Sequence, residues 1–392
     1  MPRLTNSTPA GEKPATEALP ALTGVRALAA TMVFWHHYLP PVAVVGQFLQ
    51  YFFQEMHAGV SIFFVLSGFL IYHRHSSAES LHRVPLIRYC FHRFARIYPM
   101  YFLVVVGTMA WTLIFHYPVR VPAGLVATIL LLQLTFVRGF SDQYKFIGVG
   151  QGWTLTVEVT FYVLFPLLLI LVRRLGFLAV LALVWAVGIL LYSLGRVVDY
   201  HGYFSPFQFV LFYTFFGRAA DFFAGMMLAD YVRRKASVET RSSPMTKQKA
   251  KSPAPAFTLI GGPGIACCLA ALVILRPDKM TDGMYTPLGA AIYILALPAA
   301  VAALLYGLIT ERTWFSRLLG SRLLVLMGAS SYCFYLIHVG GASFLINYWV
   351  RQSGLIPGYV AIVLISMLLW KFVEEPCRRL ILSHHLFKGA RR

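Results

Sequence analysis

The chain has 392 residues, 58% of them hydrophobic and only 12% charged, with a formal net charge of +19. Soluble chains run near 25% charged, so an ordinary soluble domain is excluded, and no polar block is long enough to fold as a separate globular unit. The basic residues gather in short loops between apolar runs, so the positive balance encodes membrane orientation and not nucleic-acid binding.

Residues 1–20 are rich in Pro, Thr and Glu. They lack an apolar signal-peptide core and read as a disordered cytoplasmic tail. The first apolar run, Leu22 to Tyr38 (LTGVRALAATMVFWHHY), carries Arg26 near its start and His36 and His37 near its end. An ionisable group at membrane depth costs about 2.5 to 3.5 kcal/mol and marks function by default. Arg26 and His37 lie about 20° apart in azimuth and about 16 Å apart along a helix axis, so they share a face, whereas His36 points about 100° away. The alternative is that Arg26 snorkels to an interface and the histidines sit in an aqueous mouth.

The second span ends in GVSIFFVLSGFLIY, Gly59 to Tyr72, just after His57, and Gly59 and Gly68 read as close-approach glycines. A loop with Arg74, Arg83, Arg88, Arg93 and Arg96 against Glu79 follows, which places it in the cytoplasm, and then a third span, Ile97 to Phe115. The remaining runs are Gly124 to Val137, Trp153 to Val172, Phe177 to Leu194, Phe207 to Tyr231, Phe257 to Leu275, Leu288 to Ile309, Val325 to Val350 and Ile356 to Val373. Residues 232–256 read as a flexible basic cytoplasmic linker and 381–392 as a basic cytoplasmic tail.

If every run crossed, Arg173 and Arg174, the linker and the tail would all face outward. Gly124 to Val137 is shorter than the roughly 17 residues a span needs; as a re-entrant or interfacial piece it restores all three. The expected fold is therefore an all-α polytopic membrane protein with about ten transmembrane helices, one membrane domain over residues 21–380, and both termini cytoplasmic. With that topology His37, His57, Glu158 and His338 fall in the outer half of the bilayer, with Glu158 level with His37. Tyr162 at i+4 could hold Glu158 in a structural pair. Ser331, Tyr335 and His338 share a face and could satisfy each other. Cys90, Cys267, Cys268, Cys333 and Cys377 show neither CxxC nor metal-ligand spacing, so neither disulfides nor a metal is expected.

In order along the chain, several stretches resemble motifs of the acyltransferase-3 family of membrane O-acyltransferases. The first helix matches its pattern of an arginine, ten residues and a histidine at Arg26 and His37, but departs at Thr23, where the family commonly has an acid. GVSIFFVLSGFLI is similar to the second helix, and RFARIYPMY, Arg93 to Tyr101, to an Arg-x-x-Arg element. WTLTVEVTFYVLFP resembles Trp-Ser-Leu-x-x-Glu with Thr154 for Ser, SSYCFYLIH the late element ending in His338, and VEEPCRRL the closing Glu-Pro element. Pro376 there ends the last helix, and Glu374 and Glu375 are assigned no chemistry.

The resemblance implies transfer of an acetyl or other short acyl group from acyl-coenzyme A, acetyl-coenzyme A first among donors, to a carbohydrate hydroxyl on a surface polysaccharide, lipopolysaccharide or related glycan. His37 would act as general base with Glu158 orienting it, Arg26 would stabilise the donor or developing charge, and His338 is a further catalytic candidate. Arg93 and Arg96 would hold the donor's phosphates, unless they serve topology or lipid head groups alone. No permanently bound cofactor is expected. The expected setting is the inner (cytoplasmic) membrane, with the bilayer, donor and glycan as partners. Some relatives add an extracytoplasmic hydrolase-like domain, so this chain is expected either to finish transfer itself or to hand the acyl group to a separate extracytoplasmic protein. The rival readings are a proton-coupled secondary transporter and a non-catalytic lipid-linked-glycan binder, and thioester consumption separates them from the first.

Overall fold

The computed structural model describes residues 20–76, 86–115, 122–242, 256–340 and 354–383. The expected tail before Pro20, linker residues 243–255 and residues 384–392 lie outside them. In order, the helices are α1 (Pro20–His37), α2 (Gln47–Gln54), α3 (Gly59–His75), α4 (Leu86–Phe115), α5 (Ala123–Leu134), α6 (Trp153–Leu175), α7 (Phe177–Val198), α8 (Phe207–Tyr213) and α9 (Phe215–Ser242). They continue with α10 (Ala256–Ile274), α11 (Pro287–Thr310), α12 (Trp314–Leu319), α13 (Arg322–Ala329), α14 (Ser331–Ile337) and α15 (Leu355–Ser383). Two π-helical turns interrupt them, Ile292–Ala296 in α11 and Trp370–Glu374 in α15. Helices close their backbone hydrogen bonds internally, which is what a bilayer demands.

Among the described residues seven helices are long and apolar enough to cross a membrane: Gln47–His75, Leu86–Phe115, Gly150–Leu175, Phe177–Val198, Ala256–Ile274, Pro287–Thr310 and Leu355–Ser383. The expected ten are not all of this kind, for physical reasons. Arg26, His36 and His37 dilute α1, and Arg218, Asp221, Asp230, Arg233 and Arg234 dilute α9. The run Phe207 to Tyr231 is broken at Thr214, whose backbone is extended, and Val325 to Val350 is broken at Ser330, with 341–350 outside the described residues. The linker begins later than expected: α9 runs on to Ser242 as helix. The short run is α5, whose 12 residues reach only about 18 Å, against a hydrocarbon core of about 30 Å.

The core is a pair of closely approached helices, α3 and α9, with α1 against α3. A Cβ on Gly68 would lie 2.2 Å from the Phe222 carbonyl oxygen, and one on Gly225 1.9 Å from that of Val65. Small residues allow such approach where lipid supplies no hydrophobic drive. At one end of the bundle Arg173 Nη2 and Arg233 Nη1 converge on Ser76, both at 2.7 Å, beside His73, Arg74, Arg88, His92 and Arg378. The other end gathers His36, His37, His57, Tyr293, Arg276 and His338.

Candidate functional site

The last turn of α1 brings His37 to the histidine end, where it is exposed while most of the helix is buried. Its ring centroid lies 5.2 Å from that of His338 and 4.6 Å from that of His36. His338 caps the short α14 and is fully buried. Its Nδ1 lies 2.8 Å from the Tyr335 carbonyl oxygen. A carbonyl only accepts, so Nδ1 carries the proton and Nε2 is a bare lone pair. That Nε2 is buried without a hydrogen-bond partner. The backbone around it is pinned: Tyr38 Oη donates to the His338 carbonyl at 2.7 Å, and Gln151 Nε2 to the carbonyls of Leu336 and Val339 at 2.6 and 2.9 Å. The Ser331, Tyr335 and His338 side chains therefore do not satisfy one another. Tyr335 Oη instead accepts from Thr154 Oγ1 at 3.0 Å, and Ser331 Oγ is buried without a partner.

Eleven residues down α1, about 16 Å by helix rise, Arg26 belongs to a second, charged layer. It is within electrostatic reach of Arg96, Glu374 and Glu158. Glu158 Oε1 accepts from Tyr162 Oη and, at 3.3 Å, from Ser67 Oγ. Glu158 therefore sits with Arg26, and not with His37 as expected. Gln151 and Thr154 at the head of α6 meet the His338 segment, and Glu158 lies about one turn further down, below the level of His37. Arg96 is ion-paired with Glu374, which is 2% exposed and also accepts from Cys333 Sγ at 3.1 Å. Its guanidinium lies 5.6 Å from the Tyr332 ring centroid. Arg93 stacks over Tyr162 at 5.5 Å, and its Nε is buried without a hydrogen-bond partner.

Sequence reasoning missed Glu374, because an acid before Glu-Pro reads as a helix stop; its closeness to an apolar run facing the Arg93–Tyr101 stretch was the available signal. It also missed the buried pair Arg218 and Asp221, joined at 2.8 Å, although an Arg-x-x-Asp spacing inside an apolar run marks one.

Residues 19–373 match a family described as an acyltransferase domain. A Staphylococcus aureus (strain COL) protein provisionally named an O-acetyltransferase is 26% identical over 382 residues. O-acetyltransferase OatA of Staphylococcus aureus (strain NCTC 8325 / PS 47) is 24% identical over 384. Each alignment covers 92% of this chain and 57% of the relative, so the chain spans little more than half the length of the relatives it matches. No solved structure matches it.

Proposed function

Since the chain belongs to the acyltransferase-3 family, we propose that it is an O-acyltransferase that moves an acetyl or other short acyl group from acyl-coenzyme A to a carbohydrate hydroxyl. The observation that carries this reading is the imidazole pair His37 and His338, one exposed and one with a buried lone pair facing no partner. A hydroxyl is a weak nucleophile near neutrality, and a positioned base contributes roughly 10² to 10⁴ in rate. His37 takes the hydroxyl proton as the oxygen attacks the thioester carbon. In that step a turn of the His37 ring, 5.2 Å away between centroids, brings its N–H to the open Nε2 of His338 and so holds its other nitrogen toward the substrate. The carbon–sulfur bond breaks and the electron pair leaves on the coenzyme sulfur.

The donor's acyl arm passes Arg26, which Glu158 and Glu374 hold in a balanced layer. Its phosphates dock on the basic end, where Arg74, Arg88, His92 and Arg93 crowd together, while Arg96 is already committed to Glu374. Ten crossings, with α5 not spanning and the basic end in the cytoplasm, bring a cytoplasmic donor to this layer. The test is thiol release from acetyl-coenzyme A by purified protein with candidate glycans. His37→Ala is expected to lose about 100-fold or more in transfer while keeping donor affinity. A folded His37→Ala protein acylating at the parent rate would falsify the assignment.

A further inference from the structure

A cavity of about 310 Å³ lies between α7, α8, α9 and the first turns of α11. Trp185, Phe207 and Phe216 form its aromatic walls, and Ile294 and Leu295 close it from α11. None of its lining side chains is charged, and the Trp185 indole carries the one polar side-chain atom among them. Ile189, Phe207 and Leu295 are exposed, so the cavity opens on the face that lipid covers.

Its place in the fold ties it to the reaction centre. The lining residues of α11 lie about 5 to 12 Å along the helix from Pro287, at the end of the bundle that holds the histidines. The π-helical turn Ile292–Ala296 is the wall between the two: Ile294 and Leu295 face the cavity, while Tyr293 Oη lies 3.2 Å from His57 Nδ1. From Tyr293 the rings of His57, His36 and His37 follow at 5.1, 5.3 and 4.6 Å between centroids. The donor's phosphates dock at the opposite, basic end, so the cavity belongs to the acceptor's side.

An empty space facing lipid forfeits the dispersion contacts that hold helices together in a bilayer, where no hydrophobic drive replaces them. A hydrocarbon chain restores those contacts, and a sugar or a nucleotide does not. At about 30 Å³ for a water-sized group, the volume takes about ten methylenes of a chain. We propose that the cavity seats the hydrocarbon tail of a lipid-linked acceptor glycan, which enters sideways from the bilayer and brings its sugar to His37. The proposal rests on the reading of the histidine end as the place where a carbohydrate is acylated. Held by its tail, the acceptor meets the base at a raised effective concentration, with no change in the chemistry of transfer.

Ala291 is exposed at the rim of the cavity, so Ala291→Trp should fill it from the lipid side. With the full chain in phosphatidylcholine nanodiscs, photoactivatable farnesyl phosphate should crosslink within residues 185–217 and 287–296, and the variant should lose about fivefold or more of that yield. Excess unlabelled farnesyl phosphate should remove the crosslinks, and added phosphatidylglycerol should not. Removal by both, or crosslinks spread evenly over α4 and α15, makes the cavity a seat for any boundary lipid and overturns the proposal. In thiol-release assays, Ala291→Trp should lower kcat/KM about tenfold or more for a glycan carried on farnesyl diphosphate, relative to the same glycan as its methyl glycoside. Partitioning into the bilayer favours the tailed form in parent and variant alike, so an unchanged ratio also overturns it. If Ala291→Trp does not fold, the smaller filling Ala290→Leu decides by the same ratio. Failure of the underlying reading shows separately, as a parent protein that releases no thiol with either acceptor yet still crosslinks at the cavity.

Discussion

Arg96 and Glu374 are the residues whose pairing matters most to the charged layer, because each is needed to make the other tolerable. Removing one partner of a buried pair strands a charge and costs 3 to 5 kcal/mol in typical cases. The Arg96 side chain is 25% exposed and that of Glu374 3%, so Glu374→Ala is expected at the lower end, about 3 kcal/mol. Arg96→Met with Glu374→Leu should recover most of it. Thermal unfolding in detergent checks both, and a double variant no more stable than the single would sink the argument. Arg26 and His37 could be read from sequence because an ionisable side chain inside an apolar run announces itself. Glu374 and Glu55 could not: Glu374 precedes a Glu-Pro that reads as a helix stop, although the helix runs on through Pro376 to Ser383, and Glu55 precedes the apolar run from Gly59, although the span begins at Gln47, so only the fold turns them inward.

Among elements, the start of α10 is secured from the end of α11. Phe257 and Thr258 donate their backbone N–H groups to Glu311 at 2.7 and 2.9 Å, and the Thr258 hydroxyl adds a third bond at 2.6 Å. These are donors that a helix start leaves without partners, so a side chain from another helix does the capping. Burial alone would raise the Glu311 carboxyl, but the three hydrogen bonds outweigh it and hold the carboxyl below its ordinary value. The stabilisation is thus fully present above the unfolded value of about 4.3 and is lost as pH falls through the lower folded value. Glu311→Ala should cost about 1 to 3 kcal/mol at neutral pH, and the difference from the parent should shrink in acid. A gap unchanged down to pH 3 would remove the charge from the account. The long apolar helices were legible because length and composition suffice. The breaks at Thr214 and Ser330 were not, since neither carries Gly or Pro and tertiary packing sets them.

At the scale of the molecule, charge is sorted by end: arginines from α3, α4, α6, α9 and α15 meet around Ser76, Arg74 and Arg88. The short reach of α5 keeps that sorting intact, since one more crossing would send Arg173 and the stretch after α9 to the opposite side. A cysteine placed at Gly46 is therefore expected to react with an impermeant maleimide from outside the cell, and one at Lys247 only after permeabilisation. Labelling of Lys247→Cys in intact cells would reverse the topology.

Two of the residues that hold the polar layers, Tyr293 and Glu374, stand on the π-helical turns of α11 and α15. Such a turn adds one residue to the helix and advances everything after it by about 100°. Each of these helices is thus two threads cut out of phase, and the polar side chain sits at the splice. A stripe of apolar positions followed from one end of α11 or α15 leads to the wrong face at the other, so the two halves present different faces to their neighbours, and removing the extra residue would turn one half about 100° away from the packing it now has.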